Sequence, residues 1–228
     1  MKKIMAFTLS LMLLGFIVAC SDDSSEEEGI QEDTVIATVN GEEVLGKEFN
    51  EMVAQYKVSY TQEQSVDFQS EEGLELLAQI ENHVLETLIQ QEVLLQASTE
   101  NDLLATDEQI SEEMEAIQSQ FDSTEEYEAA LKASGFTESS FQEMLMLEMS
   151  IENYLYANID PVDEVTEEEK ESLYEQVVMQ YEAQGQEAPD YEEIEEMLEA
   201  QVIEQKEQQQ MQVVVQDTME NADIERLI

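Results

Sequence analysis

Residues 85–117, "LETLIQQEVLLQASTENDLLATDEQISEEMEAI", hold two helices and the break between them. Leu85, Leu88, Ile89 and Leu95 recur at the three- and four-residue spacing that lines one face of a helix. Upstream, Leu74, Leu77 and Ala78 extend the stripe, so the spacing predicts one long central helix over 71–98 with Ser70 as its N-cap. Downstream, Thr106 and Gln109 stand at capping-box spacing and restart the chain as a helix carrying Ile110, Met114 and Ile117.

The same punctuation continues toward the C-terminus. Asp122 with Glu125 opens a helix bearing Tyr127, Ala130 and Leu131, and Gly135 ends it. From Thr137 to Asn158, apolar residues cover more than half of the helix circumference, until Asp160-Pro161 breaks the pattern. Thr166 with Glu169 makes another capping box ahead of Leu173, Val177 and Tyr181. Gly185 and Pro189 mark the next break, and a last helix runs from about Asp190 to Glu220. On the N-terminal side, Phe49, Met52, Val53 and Tyr56 give a helix over 47–60. Before it, Val35, Ala37 and Val39 alternate ahead of Asn40-Gly41, a strong hairpin signal. The closing "ADIERLI" is apolar enough to add a strand to that hairpin. The fold class is therefore mainly α, with a small N-terminal β-hairpin and a long returning C-terminal helix.

The first residues have a different character. Lys2 and Lys3 precede an uncharged run from Ile4 to Ala19, which reads as a signal peptide over 1–19. A spanning helix needs about 20 apolar residues, whereas here the run gives way at Cys20 to "SDDSSEEE". Ile17-Val18-Ala19-Cys20 looks like a bacterial lipobox, which makes Cys20 a lipid attachment site. A lone thiol in an exported protein is otherwise an unpaired thiol in an oxidising place. Two acyl chains hold a protein stably where one does not. Residues 20–33 then form an acidic, flexible spacer, and 34–228 a single helical domain.

Composition narrows the partners. Eight Lys and Arg against 56 Asp and Glu give a net charge of −48, which excludes nucleic acid, since binding it requires neutralising phosphates. With 42% hydrophobic residues in periodic order, the chain folds beneath an acidic skin instead of staying disordered. The single histidine, His83, has no second one with which to share a metal or complete a triad. Carboxylate pairs are too frequent to mark a site, and no Gly-rich phosphate loop occurs among the 7 glycines. No cofactor or metal is expected. The stretch "FQEMLMLEMSIENYLY" is more suggestive, because Met144, Met146 and Met149 with Phe141, Tyr154 and Tyr156 exceed what one core seam requires. Unbranched thioethers suit promiscuous binding surfaces as well as cores.

The segments "IATVNGEEVLGKEFNEMV", "LETLIQQEVLLQASTENDLLATDEQISEEMEAI", "ALKASGFTESSFQEMLMLEMSIENYL" and "DEVTEEEKESLYEQ" resemble, in order, the chaperone module of the SurA and PrsA foldase family. The resemblance covers most of residues 35–174, and the last helix with "NADIERLI" resembles the module's returning segment. It implies a lipoprotein at the extracytoplasmic face of the cell membrane, anchored through Cys20, that binds unfolded or nascent secreted proteins on an apolar groove. Phe141, Met144, Met146, Met149, Tyr154 and Tyr156 are the candidate client contacts. Many members carry a parvulin isomerase domain between the segments matching Tyr174 and the final helix. The interval here, about 175–190, is too short for a domain of about 50 residues, so isomerase activity attaches by family label alone. An envelope adaptor with one folded partner is the alternative, and a homodimer is left open.

Overall fold

The computed structural model describes residues 29–162 and 164–228. The segment expected to be a signal peptide, Cys20 and the expected spacer through residue 28 lie outside the described residues. Among the described residues the order is β1 (Val35–Val39), β2 (Glu42–Leu45), α1 (Gly46–Gln64), α2 (Glu71–Glu100), α3 (Asp107–Gln118), α4 (Thr124–Ala133), α5 (Glu138–Ala157), α6 (Glu167–Ala183), α7 (Tyr191–Asn221) and β3 (Ile224–Arg226). The mainly α fold with a small antiparallel sheet is as the periodicity predicts.

Two compact units organise these elements. One spans Ala105–Met149; the other joins Ile30–Leu104 to Ser150–Ile228. The larger is built on a three-stranded sheet in the order β2-β1-β3. Asn40 (φ 52°) and Gly41 (φ 90°) make the two-residue turn between β1 and β2, the geometry that Asn-Gly tolerates and that matches strand twist. The terminal segment returns as expected: β3 pairs antiparallel with β1, placing Ala37 opposite Arg226 and Val39 opposite Ile224. The alternation departs from expectation at one point. Val35 pairs with Leu45 and Ala37 with Val44, so Ile36 is an extra residue in a bulge, and it is fully buried whereas Val35 is only half-buried.

On this sheet α1 and α2 pack through Phe49, Val53, Ile80, Val84, Leu85, Leu88, Ile89 and Val93. The buried face of α2 differs from the expected stripe at its start. Leu74 is exposed, Ala78 likewise, and Ile80 and Val84 take the core positions. Ser70 caps α2 by accepting from Gly73 N–H at 3.0 Å, and the turn before it is locked by Ser70 Oγ donating to Asp67 O at 2.7 Å. Farther along α2, the buried Ser98 hydroxyl lies 2.7 Å from Leu94 O and 2.9 Å from Ser150 O. That bond ties α2 to the second half of α5.

The smaller unit gathers α3, α4 and the first half of α5. Both expected capping-box bonds of Thr106 and Gln109 are present. At α4 the cap falls one residue later than expected: Ser123, not Asp122, accepts from the Glu126 N–H at 3.2 Å. This frame points Tyr127 and Leu131 inward, where they meet Ile110, Phe141 and Leu145. Phe121 meets the Tyr127 ring edge-to-face at 5.6 Å. Yet the Tyr127 hydroxyl is buried without a hydrogen-bond partner, and burial, with Glu138 second, raises its pKa. An orphaned buried hydroxyl costs about 1–3 kcal/mol. Tyr127→Phe is therefore expected to raise stability by about 1 kcal/mol in urea unfolding. A loss of stability would mean that the hydroxyl has a partner.

Candidate functional site

The six residues singled out on "FQEMLMLEMSIENYLY" all lie on α5, but they fall into two settings. Phe141 is buried in the core of the smaller unit, and Met144, Met146 and Met149 are half-buried against that same cluster. Tyr154 and Tyr156 belong to the larger unit. The Tyr154 hydroxyl lies 3.1 Å from Thr218 Oγ1 of α7, whereas Tyr156 is 45% exposed. The structure thus brings the methionines together with Phe141 and sets the two tyrosines beside α7.

Around Tyr156 the charge is negative. Burial raises its phenol pKa first, and the carboxylates of Glu152, Glu207 and Glu204 raise it further. Glu152 lies one helical turn before it on α5, and the other two come from α7.

The α6–α7 pair holds two of the few cations in the chain. Its seam is apolar: Leu173, Leu198 and Val202 are buried, with Val177 and Ile194 packed against them. Tyr174 and Tyr191 meet at right angles, 5.3 Å apart. At the edge of the seam, Lys170 is only 5% exposed, and its ammonium lies 2.6 Å from both Glu167 and Glu195 carboxylates. These hydrogen bonds raise its pKa. A second cation, Lys206, reaches Glu169 at 2.7 Å and donates to Glu164 O at 3.0 Å. The Lys206 bond, aided by the Thr166 cap, holds the Glu169 carboxyl down at about 2. Off the seam, Met179 and Met197 are exposed.

Lys206 also borders a groove of about 400 Å³, lined with Val162, Glu164, Gln209, Gln210 and Val213. One wall is the linker between α5 and α6. Gln210 holds that linker at two points: its Oε1 accepts from Asp160 N–H at 2.8 Å, and its Nε2 donates to Asp160 O at 3.1 Å. Sequence reasoning missed this wall. The available signal was the change from glutamate to glutamine at Gln208, Gln209, Gln210 and Gln212 in an otherwise glutamate-rich helix.

His83 is exposed and engaged locally, with Nε2 3.1 Å from the Tyr56 hydroxyl and the rings edge-to-face at 5.7 Å. Among the described residues, no group of three or more His, Cys, Asp or Glu could hold a metal ion.

Comparison with known proteins places these elements in a lineage. The model of the SurA-like N-terminal domain matches residues 1–155. The foldase protein PrsA of Clostridium botulinum strain Loch Maree is 30% identical over 162 residues, which cover 64% of this chain and 47% of that protein. PrsA of Clostridium kluyveri is 27% identical over 192 residues, or 76% of this chain and 55% of the relative. The chain spans about half the length of the curated relatives it matches. On the family match, covering well over half of its residues, the chain belongs to the SurA-like N-terminal domain family.

Proposed function

We propose that this chain is a membrane-tethered chaperone of the foldase type, acting outside the cytoplasmic membrane on unfolded exported proteins. The observation that carries the reading is the match to the SurA-like N-terminal domain over residues 1–155, and the similarity to proteins named as foldases supports it. Residues 34–228 act as its chaperone module, and Cys20, carrying a diacylglycerol, is its anchor. Among the described residues no helix is long and apolar enough to cross a membrane; in this reading acyl burial at Cys20 is the attachment.

The mechanism is capture of transiently exposed apolar segments. Tyr156, Met179, Met197 and Val213 present apolar surface on the larger unit, and the expected contacts Met144, Met146 and Met149 add half-buried thioethers on the smaller one. A net charge of −48 keeps a loaded complex soluble by mutual repulsion. Affinity is weak and broad, because adaptable side chains in shallow surfaces reward many sequences slightly.

The test is aggregation of a chemically unfolded exported protein, diluted into buffer with the mature chain beginning at residue 20. Light scattering should fall as the chaperone approaches equimolar ratio. Unchanged scattering from several unrelated clients, at both low and high salt, would refute the reading.

A further inference from the structure

We infer that Asn40-Gly41 is a self-modification site, closed while β3 is docked and open once β3 leaves. There the Gly41 backbone nitrogen attacks the Asn40 side chain and expels ammonia. The aspartyl or isoaspartyl residue that results marks the molecule irreversibly.

Asn40 alone among the asparagines precedes a glycine, whose missing side chain leaves its nitrogen approachable. Both residues of the turn are exposed, and beyond its chain neighbours no atom lies within 4 Å of where a Gly41 Cβ would stand. Water therefore reaches the turn. In the first step Gly41 N–H gives its proton to water or hydroxide, its nitrogen bonds to Asn40 Cγ, and the Cγ–Nδ2 bond breaks as Nδ2 takes up a proton and departs as ammonia. Water then opens the resulting five-membered ring. Attack at Cγ leaves an aspartyl residue, whereas attack at the main-chain carbonyl carbon leaves the chain running through Cγ, an isoaspartyl link with an added main-chain methylene.

The docked strand opposes the first step. Asn40 N–H donates to Asp223 O and Asn40 Oδ1 accepts from Asp223 N–H, both at 2.8 Å, while Nδ2 donates to Gln96 Oε1 at 2.9 Å. Both polar atoms of the side chain are thus committed, and ring closure must give up these bonds. It must also flip the peptide plane between Asn40 (φ 52°) and Gly41 (φ 90°). A two-residue hairpin accepts that flip, since type I′ and type II′ turns both match its twist. What holds the site closed is therefore the clamp, and two of its three bonds are with Asp223. Local release of a short terminal strand precedes global unfolding and removes both at once.

The product closes poorly. Gln96 Nε2 is committed to Val39 O at 3.0 Å and to Glu92 Oε1 at 2.6 Å, so a carboxylate in place of the Asn40 amide faces the Gln96 oxygen with no hydrogen to offer. It also adds negative charge to a hollow that Glu100 and Asp217 border. In the isoaspartyl form the longer turn pushes the Val39 and Glu42 pair out of register. Excursions of β3 accumulate as a lasting mark at Asn40.

The test holds the intact protein in warm, mildly alkaline buffer across a urea series below its unfolding transition. Conversion of Asn40 is followed by peptide mass mapping, alongside amide hydrogen exchange. Conversion should rise in step with exchange at Leu227, whose N–H donates to Ile36 O, and not with exchange at the core residue Ile89. Gln96→Ala, which removes one clamp and no strand, should speed conversion severalfold. In the isoaspartyl form, isolated by chromatography, Leu227 should exchange about tenfold faster, the equivalent of one or two net hydrogen bonds. Conversion that tracks Ile89, or that runs as fast in the folded protein as in the fully unfolded one, overturns the gating by β3. Unchanged Leu227 exchange in the isoaspartyl form overturns the lasting release.

Discussion

Gly73→Ala should destabilise the protein by about 3 kcal/mol, although in an exposed helix interior the same change stabilises by up to about 1 kcal/mol. Gly73 stands in the first turn of α2, where its added Cβ would run into the backbone of Asp67 and Phe68. Those backbone atoms have nowhere to go. Ser70 Oγ donates to Asp67 O, Gln69 N–H donates to the Asp67 side chain at 2.9 Å, and Phe68 is buried in the main core. Relief requires either lifting Phe68 out or breaking the cap that Ser70 supplies to Gly73 N–H, which alone costs about 1 kcal/mol. Clash and cap loss therefore outweigh the propensity gain. Equilibrium unfolding in urea checks the sign: a variant as stable as the parent would mean that the 65–70 turn yields freely.

That glycine also illustrates what the sequence discloses. Ser70, Thr106 and Thr166 are legible as caps because the cap and its partner lie within one turn, and all three accept the backbone bond expected of them. The Asn40-Gly41 turn is legible for the same reason. Gly73 is not, since its role depends on how close the preceding turn folds back. At α4 two frames, Asp122 with Glu125 and Ser123 with Glu126, are equivalent on local grounds, and the choice is made by where Tyr127 and Leu131 must point. The bulge at Ile36 is likewise set by pairing and not by local preference.

The site was less legible than the fold, for a chemical reason. A methionine suits a core and a client surface equally, so "MLMLEM" does not say which it serves. In the smaller unit, whose buried core is Ile110, Tyr127, Leu131, Phe141 and Leu145, the thioethers pack against the cluster as partial cover. The glutamines of α7 were opaque for the opposite reason. Gln210 recognises a backbone 50 residues earlier in the chain, and backbone recognition leaves no side-chain signature in the segment recognised.

Ending the chain after Ala222, which removes β3, should cost about 4 kcal/mol, at about 1 kcal/mol for each net hydrogen bond lost. The segment is short, but it closes the sheet. Asn40 N–H donates to Asp223 O and Leu227 N–H to Ile36 O, both at 2.8 Å, while Asp223 N–H donates to Asn40 Oδ1 at 2.8 Å. Ladder bonds between β1 and β3 lie between these clamps. Without β3, the central strand becomes an edge, and Ala37 and Val39, now fully buried, lose cover on that side. The Arg226–Glu86 pair is a smaller matter. It is bidentate at 2.6 and 2.7 Å, but both side chains are about half-exposed, so Arg226→Ala alone should cost less than about 1 kcal/mol. The contrast separates the two contributions. Should Arg226→Ala match the truncation in urea unfolding, the ion pair rather than the strand would be what fastens the C-terminus to the hairpin; a large loss confined to the truncation assigns the work to backbone pairing.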